Sequence, residues 1–500
     1  MRLNLKQIVA CCGGQCVVDP IDMRTLAFGL TWDSRTVSEG DIYVALHGER
    51  VDGHNYIDQA LRKGAVGALV MQPIDNQLRL LAQEMGAAII EVPDTAHAIS
   101  DIAAAWRTHI TGTIIALTGS TGKTTTKNLV RDVLSSAYSV VATQGNQNNE
   151  LGVPKTLLNA EADTQFVVVE MGMRGQGQLT QLCDFVRPDW GLLVNVGESH
   201  IELLGSRDNI ARAKAELLCA LPEGRGAAFV NLQDEYASYV RDHAHLDARQ
   251  ITTVFFDGSD QARQHREQLT RAEQQFPAVW AEDVTLDEQG CPQFMLHASG
   301  FQRETSSSIT PVEEVVPCSL ILRGVHNVSN ACAAVAVGKF AGMSLEACAL
   351  ALRGAEPEAG RQEVLLARGG FSVINDAYNA NPDSMRASLA TFSAMSVPGR
   401  KVAVLGDMGE LGTFAKACHH GIGQYLATLA LDRVICVGDL AQEIAEGALE
   451  AGADERKIVR ANSLSEVLGD LDSWVESGDA VLVKASHFMG LERVVEGLIN

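Results

Sequence analysis

From about residue 110 onward, short runs of consecutive apolar residues alternate with longer Ala- and Leu-rich stretches. Ile114–Leu117, Phe166–Val169 and Leu192–Val196 have strand length, and each is closed at once by glycine or polar residues. A strand that is apolar on both faces needs cover on both, and intervening helices supply it. The pattern therefore predicts a parallel sheet between two helical layers. Val402–Leu405, Val434–Val437 and Val481–Val483 repeat it and predict a second α/β unit. Up to about residue 90 the pieces are shorter, with Asp-Gly and Glu-Gly turn signals and one helical run, Ile57–Lys63, which predicts a small α/β domain. Between roughly 240 and 318 the chain is polar: RQHREQLTRAEQQF predicts a solvated helix or loop, and SGFQRETSSSITPVEEVVP a surface connection or hairpin edge. There is no internal repeat and no low-complexity tract.

Length and charge narrow the function classes. At ordinary domain sizes, 500 residues make about three domains. Acidic residues number 62 against 40 basic, a net charge of −22, which argues against binding a nucleic-acid backbone. Anionic small molecules stay open, because salt screens a distant acidic surface over about 8 Å. No apolar run reaches membrane-spanning length, and MRLNLKQIVACCGGQCVVDP makes a poor signal peptide. The 11 cysteines are odd in number and lack a CxxC pair, which fits reduced thiols in a cytoplasmic protein. Cys11, Cys12 and Cys16 have no fourth ligand at zinc-site spacing.

The strongest local chemistry lies in IIALTGSTGKTTTKNLV, residues 114–130. A β-branched strand runs into Gly119-Ser120-Thr121-Gly122-Lys123-Thr124-Thr125, and a helical stretch follows. The glycines let the backbone turn and approach a ligand, and the helix start offers unpaired N–H groups to phosphate. Lys123 would reach the β- and γ-phosphates and Thr124 would hold Mg²⁺. Leu117 stands where the usual phosphate loop begins with glycine, so this is a shortened variant. Glu170 follows the next strand; Glu198 and His200 follow the one after. Ligands of an open parallel sheet bind beyond the carboxyl ends of its strands, which aims these side chains at the crevice of Lys123. A carboxylate there suits Mg²⁺, whereas an imidazole suits a phosphate or a metal-bound water better. Lys214, in SRDNIARAKAELL, reads by spacing as a surface lysine on a helix capped by Ser206.

TGSTGKTTTK, GNQNNELGVP, VVVEMGM, NVGESHIELLGS, ARAKAEL, GVHNVSNACAA, NDAYNANPDSM and VLGDMGELG, in this order, resemble the Mur ligases over nearly the whole chain, from about Asp33 to Glu492. DAYNANPDSM is the pattern of the dipeptide-adding members, and the DNPR motif of the diaminopimelate-adding members is absent. The resemblance implies three α/β domains: a small UDP-substrate domain (1–90), a central ATPase domain with a P-loop-type parallel sheet (91–357) and a Rossmann-like C-terminal domain (358–500). It implies ATP-driven amide formation through an acyl phosphate in the cytoplasmic stage of peptidoglycan precursor synthesis. The substrates would be UDP-N-acetylmuramoyl-tripeptide and D-alanyl-D-alanine, with Mg²⁺ and without nucleic acid or membrane, and a monomer is expected.

Carried over by position, the loop residues Gly119 to Thr125 would hold ATP, while Thr124, Glu170 and His200 would serve the metal. Lys214 matches a lysine that becomes a carbamate in this family. Asn327 matches an adenine-contacting asparagine; on position alone it is an amide at a helix start. Arg361 would meet ATP on closure, and Asp376, Tyr378 and Asn379 would lie near ATP and the incoming amine. Asn148 and Asn149 would line the cleft; Asp33, Ser34, Arg35 and the Asp52-Gly53-His54 turn would match the nucleotide-sugar end. Lys123, Lys214, His200, Asp376 and Asn379 are thus the expected catalytic set. One departure stands out: Ala485 and His487 occupy places where Gly and Arg are expected. Two other readings remain, a glutamate-adding folylpolyglutamate synthetase on the same scaffold and an ATPase switch that forms no amide.

Overall fold

The computed structural model describes residues 1–48, 51–301 and 313–499. Three larger sheets follow one another along the chain. The first has five strands in the order Gln15–Val18, Ala88–Glu91, Gly67–Val70, Asp41–Val44, Gly29–Thr31, all parallel except for the antiparallel first pair. The helical run in this part spans Ile57–Arg62. The third has six strands, in the order Glu363–Leu366, Ser372–Asp376, Ala480–Lys484, Lys401–Gly406, Arg433–Val437, Ile458–Ala461, again with one antiparallel edge pair.

The middle sheet positions the site. Thr113–Thr118 lies between Trp190–Leu193 and Phe166–Glu170, with all three parallel. Alternate residues of this strand feed different cores. Ile115 and Leu117 pack with Leu129, Val130 and Val133 of the helix Lys123–Ser135 and with the helix His326–Phe340. Ile114 and Ala116 pack on the other side with Val153, Leu179 and Ile210, one from each of three further helices. Two covered faces explain the unbroken apolar runs. Each large apolar side chain so buried contributes roughly 1.5–3 kcal/mol.

Two expectations need correction. The run Leu192–Val196 is strand only to Leu193, because beyond it the chain leaves the sheet and Asn195 turns its amide onto the phosphate loop. The region 240–318 is richer in strands than its polarity suggests. Thr252–Asp257, Ala278–Leu286, Pro292–Ser299 and Glu314–Ser319 extend the middle sheet to nine strands. The last three form an antiparallel meander whose outer positions face solvent, so their apolar runs are short. RQHREQLTRAEQQF holds a short helix, Ala262–Glu267, and a 3₁₀ turn, Glu273–Gln275. In the connection placed at SGFQRETSSSITPVEEVVP, residues 302–312 lie outside the described residues.

Candidate active site

Gly122 opens the helix Lys123–Ser135 at φ 73°, a left-handed conformation that favours glycine. A Cβ there would also stand 2.8 Å from Asn330 Oδ1. The loop is fastened from the segment just past the neighbouring strand: Asn195 Oδ1 accepts from the N–H groups of Ser120 and Thr121, both at 2.9 Å, and its Nδ2 donates to Thr121 Oγ1 at 3.0 Å. Lys123 Nζ lies back on the loop, donating to Gly119 O at 2.8 Å and Ser120 O at 3.3 Å. Desolvation holds its pKa below the ordinary lysine value, against the opposing pull of Glu170.

Register sets Glu170 opposite Leu117, one residue before the phosphate-loop strand ends. Its Oε1 accepts from Asn148 Nδ2 at 2.8 Å and from Thr124 Oγ1 at 3.3 Å. Its Oε2 is buried without a hydrogen bond, 3.9 Å from Lys127 Nζ. Lys127, in the second turn of the helix after the loop, also donates to Gly145 O at 2.9 Å; burial lowers its pKa while Glu170 and Glu358 raise it. Asn149 lies just ahead of the next helix, Gly152–Asn159, its Oδ1 accepting from Gly152 N at 3.0 Å.

His200 adopts φ 65° at the start of a short helix, and its Nδ1 sits 2.5 Å from Glu410 Oε2 without hydrogen-bond alignment. Glu410 comes from the C-terminal sheet's side of the cleft and also pairs with Arg174 at 3.2 Å. His200 thus lines the cleft, with the Glu410 carboxylate beside it. Glu198 points its backbone, not its carboxylate, into a contact: its N–H donates to Asp383 Oδ2 at 3.2 Å.

Lys214 is not on the surface. It is 1% exposed, between the buried Ala213 and Ala215 on a helix covered over most of its circumference. Desolvation and the nearby charge of Lys123 lower its pKa well below the ordinary value, against the pull of Asp234. Ser206 does cap this helix, accepting from Asn209 N at 3.2 Å.

The helix His326–Phe340 carries Asn327 in its first turn, with Nδ2 donating to Arg323 O at 2.7 Å and Oδ1 accepting from Asn330 Nδ2 at 2.9 Å. Across the cleft, the guanidinium of Arg361 lies 4.2 Å from the centre of the Tyr378 ring, and the His487 ring lies on the same tyrosine at 6.1 Å. Asp376 Oδ2 accepts from Lys484 Nζ at 2.8 Å, and the same ammonium donates to Asn379 O at 3.0 Å. Ala485 is fully buried, and a Cβ added to Gly406 would stand 2.7 Å from its methyl carbon.

Most of these groups share one cleft of about 1980 Å³, whereas Lys127, Lys214 and Ala485 are buried and do not line it. Ser120 to Thr125, Asn148, Asn149, Glu170, His200, Asn327, Arg361, Asp376, Tyr378 and Asn379 all line it. Gly119 stands behind Lys123. Asp33, Ser34, Arg35, Asp52 and His54 do not line it; they gather at the edge of the first sheet. There Asp33 pairs with Arg35 at 2.8 Å, which holds its pKa down to about 2. Ser34 Oγ donates to Gln59 Oε1 at 2.8 Å, and Asp52 pairs with His54 at 2.6 Å. Asp33 and Asp52 both add to the burial that pushes the Tyr43 phenol up to about 12. Sequence reasoning missed Lys127, Asn195, Asn330, Glu410 and Lys484. The NVG segment after a strand offered a signal for Asn195, and the lysine four residues past Lys123 a signal for Lys127.

A strand, a glycine-bounded loop and a helix that confront a buried carboxylate, with a third α/β domain closing the cleft, define a nucleotide-dependent ligase of the phosphate-loop class. Family models match in three segments: Mur ligase family, catalytic domain, over 28–107; Mur ligase middle domain over 117–338; and Mur ligase, glutamate ligase domain, over 360–487. The chain belongs to the Mur ligase family. The UDP-N-acetylmuramoyl-tripeptide--D-alanyl-D-alanine ligase of Bacillus subtilis is 32% identical over 97% of this chain and 96% of that protein, and the one of Escherichia coli 30% over 94% and 93%. A crystal structure of MurF from Acinetobacter baumannii, 30% identical, matches 100% of this chain and 99% of that one with a TM-score of 0.81. The MurF ligase of Thermotoga maritima in complex with ADP, 27% identical, matches 94% and 96% with a TM-score of 0.71. Among the described residues no helix is long and apolar enough to cross a membrane.

Proposed function

We infer that the protein joins D-alanyl-D-alanine to UDP-N-acetylmuramoyl-tripeptide at the expense of ATP, in the cytoplasmic stage of peptidoglycan precursor synthesis. The observation that carries this reading is the meeting in one cleft of the Lys123 loop, the Glu170 carboxylate and the Arg361, Asp376 and Lys484 groups of the third domain. The working assignment is a UDP-substrate domain over 1–90, an ATP domain over 91–357 and a Rossmann-like domain over 358–500.

A carboxylate is a poor electrophile, so the tripeptide's terminal carboxylate first attacks the γ-phosphorus of ATP. The bond to ADP breaks and an acyl phosphate forms. The free amine of the dipeptide then attacks the acyl carbon, phosphate leaves, the nitrogen loses a proton and an amide remains. The protein's work is positioning and charge neutralisation. Lys123 leaves its carbonyl partners for the phosphates, and the loop N–H groups that Asn195 does not occupy face the same anion. Arg361 approaches from the third domain with its guanidinium oriented by Tyr378. The Asp376–Lys484 pair presents a fixed dipole beside Asn379.

Mg²⁺ fits this donor set: the orphaned Glu170 Oε2 and the Thr124 hydroxyl are hard oxygen donors, and His200 stands at the same cleft. When bound it supplies positive charge against the triphosphate. Lys214 is buried, and desolvation beside the Lys123 charge favours its free amine relative to an ordinary lysine, which suits it to add CO₂ and lose a proton, giving a carbamate anion.

The test is a turnover assay in which each acceptor substrate is withheld in turn and the product is weighed by mass spectrometry. Amide product that requires both acceptors supports the reading. ATP hydrolysis without amide would make the protein a switch, and a glutamyl product would make it a folylpolyglutamate synthetase.

A further inference from the structure

The segment Gly197–Ser199 is wedged between the phosphate loop and the start of the third-domain helix Pro382–Ala394. On one side, Gly197 N donates to Ser120 Oγ at 2.8 Å. On the other, a Cβ at Gly197 would collide with Asp383 Oδ2, whose carboxylate accepts from Glu198 N. A side chain at 197 would have to push that carboxylate aside.

A directed hydrogen-bond chain runs through the same wedge. Asn381 Nδ2 donates to Ser199 Oγ at 2.5 Å, and Ser199 Oγ donates to Ser120 O at 3.2 Å. Ser199 is 8% exposed, so water does not readily replace either link. The other end of the Asn381 amide is committed: its Oδ1 accepts from Ser384 N at 2.8 Å as the helix cap. The orientation of the amide, and hence the direction of the chain, is set by that cap.

Ser120 O has a second donor, the ammonium of Lys123 at 3.3 Å. A phosphate in the loop draws that ammonium away, and the carbonyl then has Ser199 alone. Two donors on one carbonyl compete for its electron density, so a carbonyl freed of one binds the remaining one more strongly, and the links in series behind it polarise one another. We propose that Ser199 and Asn381 are positioning residues that couple phosphate in the loop to the seating of the third domain. Departure of Lys123 from Ser120 O tightens the chain to Asn381 and holds Arg361 and Lys484 at the cleft while the nucleotide is present. The coupling rests on the ligase reading only in taking a nucleoside triphosphate as the loop's ligand.

Two variants cut the chain at different links. Ser199→Ala removes the middle hydroxyl; Asn381→Asp keeps the cap acceptor and removes the donor. Binding of a non-hydrolysable ATP analogue, compaction by that analogue in solution scattering, kcat with all three substrates, and the thermal midpoint are measured for each and for the double variant. Expected are analogue affinities within about twofold of the parent, loss of most of the compaction, a fall in kcat of about tenfold, and a double variant no slower than the slower single, as for links of one chain. Three results would overturn the proposal: parental kcat and compaction in Ser199→Ala; losses that multiply in the double variant or follow the fall in thermal midpoint; or a parent protein that does not compact with the analogue. The scattering arm needs no amide formation, so a parent that compacts but makes no amide defeats the ligase reading and leaves the coupling to be decided by the variants.

Discussion

Lys127 and Glu170 face each other across 3.9 Å, each 1% exposed, with Glu170 at the cleft and Lys127 behind it. Taking two charges out of water is costly, and their mutual attraction offsets that cost only while both are present. Lys127→Met should therefore cost about 3–5 kcal/mol of stability, the usual penalty for stranding a buried charge. Lys127→Met combined with Glu170→Leu should recover much of the loss, because apolar groups of similar volume replace the pair, yet remain inactive. Chemical denaturation of the three proteins, with turnover measured alongside, decides this. A double variant less stable than Lys127→Met contradicts the pairing.

Lys123→Ala removes the cation expected on the phosphates. A positioned donor of this kind contributes about 10²–10³-fold to the rate. The expected outcome is a loss of kcat of at least that size with an unchanged circular dichroism spectrum and thermal midpoint, since the ammonium bonds only to carbonyls of its own loop. Near-parental turnover removes Lys123 from the mechanism.

Asn195 organises the loop without reaching the phosphates in the proposed mechanism. Asn195→Ala deletes two acceptor contacts, to Ser120 and Thr121, and two donor contacts to Thr121. At about 1 kcal/mol for each net hydrogen bond, nucleotide affinity should weaken roughly ten- to hundredfold. Calorimetric titration with ADP measures it, and an unchanged affinity shows that the loop holds its shape without the latch.

An ion pair remote from the cleft sets an acid-stability window. Glu273 donates no proton to Arg241 but accepts its hydrogen bond at 2.5 Å, and this partner, with the Thr270 hydroxyl, holds the carboxyl down to about 2. The folded-state pKa lies below the unfolded one, so the unfolded chain binds more protons in the interval between them. The pair's contribution is complete above pH about 4.5 and lost progressively toward pH 2. Allowing for partial exposure, Glu273→Gln should cost about 1–2 kcal/mol at pH 7 and progressively less below pH 4. Urea midpoints across that range test the sign.

Burial of Lys214 beside the Lys123 charge favours its neutral amine relative to an ordinary lysine, the form that adds CO₂. Protein equilibrated with ¹³C-bicarbonate should give a carbamate resonance that disappears in Lys214→Arg. The same resonance in both proteins assigns it elsewhere.

The strand, loop and helix around Lys123 and the carboxylate at Glu170 were legible because each rests on local order: an apolar run, glycines at a fixed spacing, then helical periodicity. Lys214 was not, because a charged residue among alanines reads as an exposed position, and only the packing of a helix covered on several sides puts it in the interior. The meander over 278–319 was hidden for the opposite reason, since antiparallel strands with one wet face dilute the apolar signal. Glu410, Asn381 and Lys484 meet their partners at sequence separations no periodicity encodes. The first-domain turns were placed together by family resemblance, and the structure sets them around Tyr43 at a distance from the nucleotide cleft.

The pairing of Phe166–Glu170 with Thr113–Thr118 makes activity a matter of parity. Displacing that strand by one residue would still offer an apolar side chain at nearly every position, since both of its faces are oily. The misaligned form would thus be only mildly penalised by its interior, yet it would swing the acid of Glu170 to the opposite flank, away from Thr124 and Asn148. Faithful alignment has to come from elsewhere, and the polar clasp made by those two residues is itself the contact that tells the right pairing from its near twin.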